Sequence, residues 1–355
     1  MRVGELFGIG TTYQLIFWGV ILSLILSSIF VPLFIIISRK FKVLDSPTSG
    51  NHKTHTEPIP YLGGLAIASA SLISTALTFY FGDYSAKSEK LALVVSLGLI
   101  AMAILGLADD IKPKGAKQRL FFQTLISLTV SIFLYELDFM KAQLTASPYL
   151  NVLICTFLLV SICNFLNMFD NHDGSASGVS LLILFFILFL SIKSNQTLVL
   201  TMSSILIAAT LPFLFWNLPP ARIYLGDSGA TFLGTLIGVL LISIDFTTLS
   251  PLNALLASFC LIGILILDFS VAVLSRLRRR ISPMIGDKAH TAHRLIRLSL
   301  SKIKTTLVIW FITIWFGFHG ILATFTSGLK LQLIFTSSCL SYLALTYLFL
   351  RQPDE

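Results

Sequence analysis

The chain has 355 residues, 55% of them hydrophobic and 12% charged, with a formal net charge of +8 and a mean hydropathy of +0.87. A soluble domain is about 25% charged, and no soluble core absorbs this much apolar surface. The composition excludes a soluble globular enzyme, a disordered chain and a nucleic-acid-binding domain, and it predicts an integral membrane protein.

Long unbroken apolar runs, rather than alternating segments of about ten residues, exclude a transmembrane barrel. They predict eleven helices, roughly over 13–38, 61–81, 90–108, 119–136, 149–166, 179–193, 197–215, 229–245, 251–275, 304–325 and 330–350. The first apolar stretch, 15–37, is too long for a signal-peptide core and no cleavage site follows it, so it reads as a retained span. Cys155, Cys163, Cys260 and Cys339 fall within apolar runs without CxxC spacing and read as small buried hydrophobes. No composition shift or repeat divides the chain, and a single domain over 1–355 is expected.

The connections after spans one, three, five, seven and nine carry nearly all the polar chemistry, near 39–60, 109–118, 164–178, 216–228 and 276–303. An odd number of spans separates each from those on the other side, so these loops share one membrane face. Nineteen of the 25 Lys and Arg lie there, and the positive-inside rule makes that face cytoplasmic. The expected class is therefore an all-α polytopic integral membrane protein of about eleven transmembrane helices, N-terminus outside and C-terminus cytoplasmic.

In chain order, the first polar loop holds Lys53, His55, Pro58, Pro60 and the Gly63-Gly64 pair, whose lack of side chains suits close helix packing. The third span ends in Asp109-Asp110, with Lys117 seven residues on. Two carboxylates at a membrane boundary call for a cation or a proton, although polar helix termination also accounts for them. The fifth span runs into Asn164, Asn167, Asp170, Asn171, His172 and Asp173. Such oxygen-rich side chains suit Mg²⁺ and a polar ligand, or an Asx-rich turn.

The seventh span leads through Asn217 to Gly226-Asp227-Ser228-Gly229. A turn of this kind opening a helix offers backbone N–H groups to phosphate, with Asp227 or Ser228 as the N-cap. Asp268 lies inside the ninth apolar run, an expensive position that predicts a polar partner or a substrate contact. The ninth loop then carries Arg276, Arg278, Arg279 and Arg280, followed by Asp287, His290 and His293. Arginines recognise phosphates and histidines can orient them, while an arginine run also serves as a topology signal. His319 reads as apolar-face background. Carboxylates, amides, Arg, Lys and His thus converge on one face, a set suited to phosphoryl transfer between a soluble polyanion and a membrane-bound acceptor.

In order from Asp45 to about Leu295, these motifs resemble the polyprenyl-phosphate N-acetylhexosamine-1-phosphate transferases, a superfamily that includes the phospho-MurNAc-pentapeptide translocase. Lys53-Thr54-His55 with Pro58-Ile59-Pro60-Tyr61-Leu62-Gly63-Gly64 is similar to the N-acetylglucosamine-1-phosphate branch, and the translocase's Pro-x-His-His-His element is missing. The chain departs from the pattern at Asn171 and Ser175, where Gly and Leu are commoner, and at Ala292, where a histidine is usual.

The resemblance implies that Asp227 and Asn167 coordinate Mg²⁺, for which Mn²⁺ substitutes, and that Asp109 and Asp110 handle the lipid phosphate. It implies that Asp173, Asn171 and Asn217 line the nucleotide pocket and that Lys117, Arg278, His290 and His293 contact phosphates. Lys53, His55, Asn164 and Asp170 complete the candidate substrate-binding set. The implied reaction transfers a sugar 1-phosphate from a UDP-N-acetylhexosamine to polyprenyl (undecaprenyl) phosphate and releases UMP, at the cytoplasmic face of the bacterial inner membrane. Membrane lipids and a second copy in a homodimer are the other expected partners, with no nucleic acid. A translocase-like activity, a transporter or lipid-binding protein, and an inactive scaffold are the alternatives.

Overall fold

The structure, a computed structural model, describes residues 12–45, 58–112, 115–141, 143–246, 249–282 and 287–352. Helices α1 (Thr12–Lys40), α2 (Gly63–Phe81), α3 (Ala86–Ile111), α4 (Ala116–Glu136), α5 (Pro148–Phe169), α6 (Ser175–Lys193) and α7 (Thr197–Asn217) follow in order. Then come α8 (Gly226–Ser243), α9 (Pro251–Leu261), α10 (Gly263–Arg278), the short α11 (Thr291–Arg297), α12 (Lys302–Ala323) and α13 (Gly328–Leu350). Strands β1 (Leu44–Asp45) and β2 (Ile59–Pro60) pair antiparallel between α1 and α2.

Each of the eleven predicted runs is helical, with one correction. The run over 251–275 is two helices, α9 and α10, bent by 74°. The apolar sequence continues through the break, so composition gives no sign of it. A Cβ on Gly263 would come within 2.7 Å of the Phe316 ring, so the bend brings bare backbone against α12. Among the described residues nine helices are long and apolar enough to cross a bilayer, and α9 with α10 passes the same test together. Helix α4, at 21 residues, is long enough but less apolar, and its buried side mixes Gln123, Ser127 and Ser131 with Val130 and Leu134.

Helix α8 is the hub. It is buried over 89% of its most apolar window, against 22% for α1 and 17% for α13 on the outside. Small residues let its neighbours close in: a Cβ on Gly64 of α2 would lie 2.2 Å from the Gly229 backbone, and one on Gly234 would lie 2.8 Å from Cys163 Cα. The Gly63-Gly64 pair packs helices as the sequence predicts, and Gly234 does the same. Helix α1 is held by hydroxyls, Ser23 donating to the Ile205 carbonyl at 2.9 Å and Ser27 to that of Ala209 at 2.5 Å. In lipid each such bond is worth about 0.6 kcal/mol on average.

Two expectations for single side chains change. Cys155, Cys163 and Cys260 are buried, but Cys339 is exposed on the outer helix α13. His319 is not background, since it is buried and bonded to the Trp315 carbonyl at 2.8 Å and the Ser337 hydroxyl at 3.2 Å.

Candidate active site

The polar loops gather at one end of the bundle because the ends of α3, α5 and α7 meet the start of α8 there. Gly106, one turn before the acidic pair, lies against α8: a Cβ there would sit 2.4 Å from the Asp227 carbonyl oxygen. Gly226 opens α8 at φ +72°, a conformation that favours glycine. These two contacts bring Asp110 onto the end of α8. The backbone N–H of Asp227 donates to Asp110 Oδ1 at 2.8 Å, and that of Ser228 donates to Asp110 Oδ2 at 3.1 Å.

The cap of α8 therefore comes from another helix. The expected caps, Asp227 and Ser228, do not serve, and the N-cap residue Leu225 makes no side-chain cap bond. The N–H groups expected for a phosphate are taken by the Asp110 carboxylate, which also complements the positive end of the helix dipole.

Asp227 then faces outward from the first turn of α8. Its Oδ1 accepts from Asn167 Nδ2 at 2.7 Å, which brings the two expected metal ligands together. Its Oδ2 lies 3.3 Å from Arg119 Nη1, and the same nitrogen lies 2.7 Å from Asp109 Oδ2. One guanidinium nitrogen is thus shared by carboxylates from α3 and α8. Asp170 caps α5 nearby. Burial, with the negative charges of Asp227, Asp110 and Asp173, pushes its carboxyl up to about 8.

Among the described residues no three His, Cys, Asp or Glu side chains converge as a metal site. Asp110 is turned onto α8, and Arg119 lies between the other two acids. The donor set nevertheless suits a hard cation, since Asp109 and Asp227 offer oxygens to a single positive point. Asn167 would join them through its carbonyl oxygen once its amide is turned over.

Two tyrosines that the sequence reading missed flank the acids. The loop before α8 is tied to the start of α2, with the Tyr224 N–H donating to the Pro60 carbonyl at 2.8 Å and the Gly64 N–H to that of Leu225 at 2.9 Å. The rings of Tyr61 and Tyr224 lie 6.3 Å apart as a result. Burial, followed by the charges of Asp110 and Asp227, pushes Tyr61 up to about 12, so it is a phenol donor at neutral pH. Burial raises Tyr224 in the same sense.

The other expected residues divide into those near the acids and those with work elsewhere. Asp173 Oδ2 accepts from the Ala221 N–H at 3.2 Å and lies 3.7 Å from Lys302 Nζ. Asn171 Nδ2 donates to the Met168 carbonyl at 3.0 Å, and His172 Nε2 bonds the Lys302 carbonyl at 3.1 Å. Asn217, expected in the nucleotide pocket, is 2% exposed. Its Oδ1 accepts from Gly174 N–H at 3.1 Å and Ser177 Oγ at 2.7 Å, while Nδ2 donates to the Ile223 carbonyl at 2.9 Å. It joins the start of α6 to the loop before α8 and has little left for a ligand. Asn164 faces α4, donating to Gln123 Oε1 and the Val160 carbonyl, both at 2.8 Å.

Lys117 is exposed on the first turn of α4. Arg278 donates to the Leu350 carbonyl at 2.9 Å, capping α13 rather than facing the acids. His290 is buried in a second network. Its Nδ1 lies 2.7 Å from Asp268 Oδ2, and Arg276 Nη2 donates to its Nε2 at 3.2 Å, which fixes the proton on Nδ1. Asp268 Oδ1 accepts from the N–H and hydroxyl of Thr291, each at 2.7 Å, so Asp268 has the polar partners its position demands. Arg276 and Arg279 both pair with Asp287. His293 is half-buried; burial first, then its nearness to His290, His172 and Arg297, lowers it to about 4. Lys53 and His55 lie outside the described residues.

A multi-helix membrane protein that collects carboxylates, an arginine, lysines and neutral histidines at one end of its bundle is built to handle phosphates at a bilayer surface. The chain belongs to glycosyl transferase family 4, whose model matches residues 92–245. It is 28% identical over 320 residues to the probable undecaprenyl-phosphate N-acetylglucosaminyl 1-phosphate transferase of Bacillus subtilis (strain 168), covering 89% of this chain and 87% of that protein. The decaprenyl-phosphate N-acetylglucosaminephosphotransferase of Mycolicibacterium smegmatis is 30% identical over 74% of this chain and 70% of its own length. A phospho-N-acetylmuramoyl-pentapeptide-transferase of Clostridioides difficile (strain 630) is 28% identical, over 83% of this chain and 93% of its own.

Proposed function

We propose that the protein transfers an N-acetylhexosamine 1-phosphate, with N-acetylglucosamine the first choice, from its UDP derivative to a polyprenyl phosphate, releasing UMP. A phosphate oxygen of the lipid attacks the β-phosphorus of the donor. The bond from that phosphorus to the bridging oxygen breaks, and UMP leaves with the electron pair. The observation that carries this reading is the meeting of Asp109 and Asp227 on Arg119 at the membrane boundary, with Asn167 bonded to Asp227, in a chain of this family.

Such transfer needs charge neutralisation and alignment more than covalent chemistry. Asp227, Asn167 and Asp109 would hold Mg²⁺, or Mn²⁺ in its place. Bound there, the ion supplies neutralisation of the diphosphate and of the charge developing on UMP. Asp110 keeps Asp227 in register by holding the first N–H groups of α8. Asp109, paired with Arg119, would meet the lipid phosphate through the cation it helps to hold. Lys117 stands at the end of a largely apolar groove of about 360 Å³ along α4, lined by Leu120, Phe121, Thr124, Leu125 and Leu128, which suits a phosphate joined to a hydrocarbon chain. His293, neutral at physiological pH, can donate a hydrogen bond to phosphate without repelling nearby cations. The site faces the cytoplasm, where the donor nucleotide would be met, and the protein lies in the plasma membrane.

A transporter would need ionisable groups left open within the bundle. Its best candidate, Asp268, is consumed by His290 and Thr291. The test is incubation of purified protein with labelled UDP-sugars, polyprenyl phosphate and Mg²⁺. UMP release with a lipid-linked product is expected from the wild type, together with loss of turnover in a folded Asp227→Ala variant. Near-normal activity of that variant would sink the assignment of Asp227.

A further inference from the structure

We propose that Arg119 is a built-in counter-ion of the acidic site: its guanidinium and a divalent cation are alternative partners of the Asp109–Asp227 pair. The inference rests on the cation reading above and adds to it a residue outside the expected site.

Nη1 of Arg119 lies 2.7 Å from Asp109 Oδ2 and 3.3 Å from Asp227 Oδ2, so it bridges acids from two different helices. Like charges held this close cannot both stay ionised without a cation between them. Arg119 stands on the first turn of α4, where the positive end of the helix dipole disfavours a cation. Its placement is therefore set by the carboxylates and not by its own helix.

The contact is also uneven. Asp109, with its side chain 8% exposed, is held at the shorter distance, whereas Asp227, 33% exposed, is held at the longer one. Arg119 itself keeps 24% of its side chain exposed, enough for a long unbranched stem to swing aside. Asp227, the expected cation ligand, is thus the acid that Arg119 releases more readily. A divalent cation at Asp227 must displace the guanidinium, which lowers its apparent affinity. The guanidinium, once displaced, can donate hydrogen bonds to a phosphate at the edge of the same site.

A simple helix clip predicts something else, namely that losing Arg119 loosens the acids and weakens cation binding. Mn²⁺ titration, with free Mn²⁺ read by EPR, separates the two on full-length protein without nucleotide or lipid substrate. Arg119→Gln is expected to bind Mn²⁺ roughly 10-fold or more tightly than wild type, the order of one charge-assisted contact removed from competition. Its melting temperature without divalent cations should fall and be recovered by Mn²⁺. Arg119→Lys, which keeps the charge but loses the fork, should bind more tightly than wild type and less tightly than Arg119→Gln. It carries the test should the glutamine variant fail to fold. Wild-type or weaker Mn²⁺ affinity in the folded variants overturns the exchange while leaving the cation reading in place. Absence of Mn²⁺ binding in the wild type overturns the cation reading and the exchange together.

Discussion

His290 and His293 stand three residues apart with different duties. His290 is enclosed by Asp268 and Arg276 at the start of α11, whereas His293 is half-buried near His172 and Arg297. The lowered value of His293 has a consequence for stability. A histidine at about 4 in the folded state against an ordinary 6.5 leaves the unfolded chain binding the extra proton in that window. Its contribution is full above pH 6.5 and is lost as pH falls toward 4. His293→Gln should therefore flatten the fall of melting temperature over that range, and an unchanged acid slope would rule out the neutral imidazole.

Sequence reading found the acids and amides because each sits at the end of an apolar run, where a polar side chain is conspicuous. It missed Arg119, whose partners lie 10 and 108 residues away. The available signal was a cation opening a helix, against its dipole. It also assigned Arg278 of the ninth loop to phosphate. Arg278 and the fully buried Arg294 instead donate to the carbonyls of Leu350, Phe349 and Gln352, the end of α13. A guanidinium serves a phosphate or a helix C-terminus by the same chemistry, and only the fold decides which one it meets.

Among the elements, α8 governs the site. Its N-terminus is fixed from α3 by Asp110, and its glycines bring α2 and α5 into contact. Asp110→Asn keeps the shape but turns an NH₂ toward one of two N–H donors, so one helix bond and the favourable charge are lost. The expected cost is about 1–2 kcal/mol of stability, the range of a lost charged cap, together with reduced turnover as Asp227 loses its register. A thermal melt matching the wild type would show that the cap is dispensable. The helices themselves were legible because each apolar run has the length a bilayer demands. The break between α9 and α10 was not, since Ile262 and Gly263 continue the run and Gly263 meets Phe316, on a helix distant in sequence, only in the fold. Helix α11 was unseen for the opposite reason: seven residues carry too few turns for a periodic signal.

Over the whole molecule, chemistry and charge share one end. Asp109, Asn167, Asp227 and Asp173 meet there, while the other end is tied by Tyr84 to Thr201, Gln196 to Ser243 and Lys193 to Thr324. Helices of bilayer length separate the two ends, so the side on which the acids lie fixes the side from which the nucleotide donor enters. The excess of Lys and Arg at the acidic end predicts that it faces the cytoplasm. Lys112 is exposed at that end and Lys87 at the other, and each can be exchanged for cysteine after Cys339, the exposed native thiol, is replaced by serine. A membrane-impermeant maleimide should label Lys112→Cys in inside-out vesicles and Lys87→Cys in right-side-out ones. The reverse pattern would put the site outside and remove the UDP-sugar pool from its reach. Labelling of both variants in both preparations would mean that the two ends are not separated by a bilayer at all.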